Sequence, residues 1–318
     1  MIKEKGSIPL LMRKANISTI PKKGKSRLHL QNERGIFLVN IIRGIFMRIL
    51  YNRKSKIINM NMSDSNVGGR KDINCINHVW VVNGVIHKQL SSVKNLPIVL
   101  EQYDYTQMFD GMNLKEALSD LYSTGVQDDT LEILYQANKS VAVRVKTPFG
   151  LTDEVTLDEV VLQGEVWGPI LASNQVDMFG KEMLQEDYSF MYRYKGFIPV
   201  PVLGQIEDTG LAGYKAAQFN SYMNVKSSDK YPQLGHEKCK AMVICKKIDN
   251  FHIPKLQVNT WKTHHTKEGD LIDTFGGKKD MEVCKELTYL GVEISADGKN
   301  MKTLLRKRNK NIGKTKQI

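Results

Sequence analysis

The chain has 318 residues, with 46 lysines and arginines against 34 aspartates and glutamates, for a formal charge of +12. A hydrophobic content of 41% with 25% charged residues excludes collagen-like, mucin-like and strongly acidic classes, and the length allows about two lobes with a sizeable core. The charge is unevenly placed: residues 1–72 carry a net +12 and residues 299–318 a net +8, which leaves −8 between them and fits a polyanion held at the edges with cations drawn to the middle.

The opening MIKEKGSIPLLMRKANIS has neither an apolar stretch of signal-peptide length nor a small-residue cleavage site. Gly35 to Leu50 (GIFLVNIIRGIFMRIL) is the most apolar segment, yet it is shorter than the ~20 residues of a membrane span and is interrupted by Asn40, Arg43 and Arg48. Its apolar residues recur near helical spacing, which predicts a strand end running into a core helix. Asn59 to Asn74, polar and carrying Gly68-Gly69, reads as a loop; HVWVVNGVIHKQL mixes helical and β-branched signals and leaves its state open. LPIVLEQYDY, residues 96–105, has the profile of a buried strand delivering a carboxylate at its end.

Asn113 is placed to cap the helix LKEALSDLYSTG, in which Leu114, Ala117, Leu118 and Leu121 share a face and Gly125 lies just past the end. Val141 to Val145 alternates, Pro148-Phe149-Gly150 turns the chain, and Thr156 to Val161 resumes β-branched character, which predicts a hairpin. A helix is expected from Ile170 to about Leu184, strand-like segments from Tyr192 to Gly204, and a helical stretch from Leu211. Cys239 to Cys245 and Leu287 to Ile294 are further strand candidates, so the whole is α+β without a regular βαβ rhythm.

Three carboxylates stand out: Asp104 at the end of the early strand, and the neighbours Glu207 and Asp208 between apolar and glycine-rich flanks. They can converge if their strands are neighbours in one sheet, and such a cluster repels itself unless divalent metal sits in it. Hard oxygen ligands suit Mg²⁺, two of which ~3.5–4 Å apart can activate a 3′-hydroxyl and steady a leaving pyrophosphate. An acidic pair in a turn is, by itself, ordinarily a solvated turn.

ISTIPKKGK, LQNERGIFL and SDSNVGGRKD, then YDYTQMFDGMN, VLQGEVWGPIL, VLGQIEDTGLAG, LGHEKCKAMVI and ELTYLGVEIS, follow one another over about residues 15–296. Their order resembles a reverse transcriptase of the non-LTR (LINE-type) retrotransposon kind, the first three being similar to that family's fingers motifs and the other five to its successive palm motifs. The resemblance implies a right-hand polymerase-like α+β fold. A leader (1–14), mainly fingers (15–103), mainly palm (104–295, with fingers segments returning between 115 and 160) and a basic tail (296–318) would follow one another. The thumb is at most begun, as in a fragment of a longer element.

Carried over by position, Asp104, Glu207 and Asp208 would hold two Mg²⁺ (or Mn²⁺), and Lys238 would donate a proton near the pyrophosphate. Lys22, Lys23 and Arg34 would grip the triphosphate of a dNTP. Phe109, otherwise a packing residue, would exclude a 2′-hydroxyl by volume, and Gln163 and Gly164 would flank the incoming nucleotide. Arg70 and Lys71 would touch nucleic acid, and Tyr289, Leu290 and Gly291 would form the hairpin that supports the primer.

The expected activity is RNA-directed DNA synthesis on an RNA template from a DNA primer, with no membrane involved. The alternative is an inactive relic that only binds RNA or RNA/DNA hybrid. Glu207 stands where the family has aspartate, one methylene longer; Gln205 replaces a frequent aromatic, and Arg34-Gly35 lacks the family's proline. Cys75, Cys239, Cys245 and Cys284 show no C-x-x-C spacing, which argues for a reducing, intracellular setting, and with His252, His264 and His265 they match no zinc pattern. Gly276-Gly277-Lys278-Lys279 lacks phosphate-loop spacing and reads as a turn, and no G-x-S-x-G context is present.

Overall fold

In chain order the elements are β1 (Lys14–Pro21), β2 (Glu33–Val39), α1 (Ile41–Asn61), α2 (Ile76–Ser91), β3 (Ile98–Asp104), α3 (Leu114–Ser123), α4 (Thr130–Asn138), β4 (Lys139–Thr147), β5 (Gly150–Leu151), β6 (Val155–Glu159) and α5 (Trp167–Gln185). They continue with β7 (Phe190–Arg193), β8 (Phe197–Val200), β9 (Leu203–Gln205), β10 (Asp208–Gly213), β11 (Lys240–Ile244), β12 (Gln257–His265), β13 (Leu271–Asp280), β14 (Glu282–Cys284), β15 (Glu286–Tyr289) and β16 (Val292–Ser295). This computed structural model describes residues 8–22, 24, 26, 32–68, 70, 76–92, 97–106, 108–185, 190–193, 197–200, 203–205, 208–213, 220–221, 223–224, 233–246, 255–265 and 271–299. Two compact units are formed: Met1–Ser63 with Gly68–Arg70 and Gln107–Met178, and Asp64–Val67 with Lys71–Thr106 and Phe179–Ile318.

The first unit is built on the sheet β2-β1-β4-β5, with β6 also pairing β4. The expected hairpin of β4 is present, and β4 additionally runs parallel to β1, with Ala15 opposite Val143. Ala15, Phe37, Val141, Val143 and Leu162 close its core. Asn40 ends β2 and starts α1, its side-chain oxygen accepting from Ile42 N at 2.8 Å. The predicted strand-into-helix corner is therefore present, but α1 is not the core helix its apolar content foretells: Met47 and Ile58 are buried, while Ile41, Ile42, Ile45 and Ile49 are exposed. The helix also runs to Asn61, into the segment expected to be loop.

Asn113 caps α3 as its sequence position predicts, accepting from Lys115 N and Glu116 N, and Leu114, Ala117, Leu118 and Leu121 are buried. α5 begins at Trp167, earlier than expected, because Gly168 and Pro169 fall in its first turn, where a proline has no helical hydrogen bond to lose.

The second unit is built on the sheet β14-β11-β3-β10-β9, and its centre is β3, every residue of which is buried. The segment with mixed signals is the helix α2; its Val79, Val82, Val85 and Ile86 pack with Ile98 and Leu100 of β3, Met242 and Ile244 of β11, and Leu287, Tyr289, Val292 and Ile294 of β15 and β16. The helical stretch expected from Leu211 does not begin there: residues 211–213 end β10, held in register from Asp208 opposite Asp104 to Gly213 opposite Val99, and helical residues come later, at 220–221 and 223–224. Pairing with a fully buried neighbour overrides the weak local preference of a sequence rich in glycine. Gly276 to Lys279 is likewise no turn but part of β13, at an irregularity where Gly277 takes a φ of +102°. Among the described residues no helix is long and apolar enough to cross a membrane.

Candidate active site

Strand alternation divides β3 into two chemistries. Ile98 and Leu100 bury one face under α2 and the β15–β16 hairpin, and on that same face Gln102 and Asp104 lie further along the strand. There they line a cavity of about 440 Å³ with Lys238, Lys240, Glu286, Thr288 and Glu293. The hairpin turns at Leu290 and Gly291, both with positive φ (50° and 73°), and its alternation keeps Leu287 and Tyr289 in the core and leaves Glu286 and Thr288 exposed.

Asp104 is held from several sides. Its backbone is the register partner of Asp208 on β10. Glu207 lies outside the described residues. On the chain leading to β11, Gly235 N donates to Asp104 O at 2.7 Å, Thr106 N donates to Gln233 O at 2.7 Å, and the Cys239 thiol points to the Asp104 carbonyl at 3.7 Å. This wrapping brings Lys238 Nζ to 2.6 Å from Asp104 Oδ1. Gly235 makes the approach possible, for a Cβ there would stand 3.0 Å from Thr106 Oγ1 and 3.5 Å from Asp104 Oδ1. Burial raises the Asp104 pKa above the usual carboxylate value, and the hydrogen bond and charge of Lys238 draw it back. With its side chain 63% exposed, Lys238 is a solvent-screened partner that can swing away.

The opposite face of β3 was not singled out by sequence reasoning, although the period of two announces it. Glu101 is wholly buried and accepts a hydrogen bond from Tyr103 Oη, which in turn accepts from Asn220 Nδ2 at 3.0 Å. Asn220 Oδ1 accepts from Gln257 N at 2.9 Å, so this polar chain ties β3 to the start of β12. Burial pushes the Glu101 carboxyl up to about 8, and the Cys239 thiol up to about 12.

The first unit gathers most of the other predicted residues. Phe109 is buried, and a Cβ added at Gly168 would stand 3.4 Å from its ring. Gln163 O accepts from Phe37 N at 2.9 Å, and Gly164 takes a φ of +115° with the position of a Cβ only 2.9 Å from Phe37 O, so nothing larger fits. Arg34 is exposed on β2 opposite Ile20. Asp110 is raised by burial and drawn back by the charge of Lys22. Arg70 donates to Ser63 O at 2.8 Å and Asn59 O at 3.2 Å, closing the end of α1. Lys23 and Lys71 lie outside the described residues. Among those described, no group of three or more histidine, cysteine, aspartate or glutamate side chains is gathered as for a metal.

No protein-family model matches the chain, and no curated protein does. Solved telomerase structures do. Apo telomerase from Candida tropicalis matches with a TM-score of 0.56 at 12% identity, over 94% of this chain and 50% of that one. The same telomerase truncated from its C-terminal domain gives 0.53 at 12%, over 93% and 57%. Telomerase from Candida albicans in complex with a TWJ fragment of telomeric RNA gives 0.51 at 10%, over 91% and 46%. The chain thus spans about half the length of these proteins. The likeness is one of fold: the mixed α/β fold shared with these telomerase structures runs through nearly the whole chain.

Proposed function

We propose that this chain is the RNA-directed DNA polymerase domain of a retroelement, with fingers and palm, adding dNTPs to a DNA 3′-hydroxyl on an RNA template. The observation that carries the reading is the pairing of Asp104 with Asp208 at the end of the central buried strand, with Lys238 on the same carboxylate. The reverse-transcriptase-like fold supports it.

In this reading the hard carboxylate oxygens of Asp104, Glu207 and Asp208 suit divalent metal. The Asp104 carboxylate is buried yet already holds a positive charge at 2.6 Å, and the missing side chain of Gly235 leaves room beside Oδ1. Asp104, Glu207 and Asp208 would hold Mg²⁺, or Mn²⁺ in its place, and bound metal supplies activation of the 3′-hydroxyl and charge neutralisation at the phosphates. Lys238 releases Asp104 and gives a proton to the departing pyrophosphate. Lys22, Lys23 and Arg34 bind the triphosphate, and Phe109 closes the space a 2′-hydroxyl needs. Gln163 and Gly164 lie along the incoming nucleotide, with Arg70 and Lys71 on nucleic acid. Tyr289, Leu290 and Gly291 support the primer through the tight turn of the β15–β16 hairpin.

Primer extension on an RNA template with dNTPs and Mg²⁺ tests the reading. Wild type extends the primer and Asp104→Ala falls at least about 100-fold. Phe109→Ala admits ribonucleotides. The longer side chain of Glu207 favours one second reading, a relic that binds without copying: wild type would then extend nothing, keep salt-sensitive hybrid binding, and gain extension in Glu207→Asp.

A further inference from the structure

Arg43 interrupts the most apolar stretch of the sequence, yet it is the most buried charge in α1, with a side-chain exposure of 0%. All five of its N–H groups are taken. Nε donates to Glu165 Oε1 at 2.8 Å and Nη2 to Glu165 Oε2 at 2.7 Å, a bidentate pair. Nη1 donates to Met12 O at 2.8 Å and Ala137 O at 2.5 Å, and Nη2 also to Asn138 Oδ1 at 3.0 Å. Asn138 is itself oriented by donating to Leu134 O at 2.8 Å.

A buried ion pair of this kind is weak evidence for stability, since apolar residues of similar volume often serve as well or better. What it fixes is a position. Glu165 directly follows Gln163 and Gly164, and those two residues are docked on β2 through Phe37: its N–H holds Gln163 O, and its carbonyl leaves no room for a side chain at residue 164. One continuous corner, β2 running through Asn40 into α1, therefore holds three consecutive residues of the turn, with Phe37 on one side and Arg43 on the other. The neighbouring Trp167 is anchored to the same helix, its Nε1 donating to Met47 O at 3.1 Å.

We propose that Arg43 and Glu165 are positioning residues that pin the Gln163–Gly164 turn, and through it set the seating of the incoming nucleotide. The nucleotide rests on the polymerase reading; the pinning does not. The test compares wild type with Glu165→Gln, which keeps shape and loses charge, and with the double variant Arg43→Met/Glu165→Leu, in thermal unfolding, amide hydrogen exchange at Phe37 and primer extension at graded dNTP. Both variants are expected to melt cooperatively, with Phe37 exchange faster by about tenfold or more and KM for dNTP up about tenfold while kcat falls less. Arg43→Lys, a point charge without the planar fork, should not restore either value.

Unchanged Phe37 exchange together with unchanged KM in a folded Glu165→Gln overturns the proposal, whether or not the double variant folds. A wild type that extends no primer removes the polymerase reading, while the Phe37 amide still decides the pinning.

Discussion

Glu101 and Asp104 lie on one strand, but its alternation sends them to opposite faces and to different partners. Burial raises both, and at Asp104 an ammonium at 2.6 Å draws the value back. Glu101 accepts from the Tyr103 hydroxyl, and burial pushes it up to about 8. Its folded-state value is therefore above the unfolded one. The stability it contributes is fully present below the unfolded value near 4.5 and is lost as pH rises towards about 8, at about 1.4 kcal/mol for each unit in between. Glu101→Gln cannot ionise and keeps an acceptor for Tyr103. Urea midpoints at about pH 5 and about pH 8 should show this variant gaining on wild type by about 3 to 4 kcal/mol across the interval. Parallel curves for the two proteins would mean that the Glu101 site is wetter than its burial implies.

At the scale of elements, what could be read from the sequence is what the sequence decides locally. The cap of α3 is such a case: Asn113 Oδ1 receives Lys115 N at 3.0 Å and Glu116 N at 3.2 Å, both bonds within three residues of chain. Asn113→Ala should cost about 1 kcal/mol of unfolding free energy and Asn113→Asp should recover most of it, measured as a shift in urea midpoint at constant m. The buried strand carrying Asp104 was legible for the same reason, its apolar run being a local pattern. β10 was not, because DTGLAG becomes a strand through its register partners on β3 and β9 and not through its own residues. Nor was the Arg43–Glu165 pair, 122 residues apart, or the Lys238–Asp104 pair, 134 apart. In those cases one-dimensional spacing carries no signal, and motif order had to stand in for it. The exposed isoleucines of α1 show the converse error, since apolar periodicity tells which residues can be buried but not whether anything covers them.

At the scale of the whole molecule the charge map makes the claim that sequence alone can support and experiment can measure. The ends are basic and the middle acidic, with eight lysines and arginines and no acid in residues 299–318. A polyanion held through such groups releases counterions, so the logarithm of its affinity falls linearly with the logarithm of salt, by about 0.7 to 0.9 for each phosphate neutralised. Titrating an RNA/DNA hybrid against the chain at several salt concentrations should give a slope steeper than about −3, set by the basic ends and not by the carboxylates around Asp104. If the proposed function holds, neutralising Arg306, Lys307 and Arg308 together to glutamine should then flatten the slope by up to about 2 to 3 while Asp104→Ala leaves it in place, because only the first change removes cations that a polyanion would pair with. If the triple substitution leaves the slope unaltered, the C-terminal charge is a solvated surface and the grip on nucleic acid must come from residues 1–72 alone.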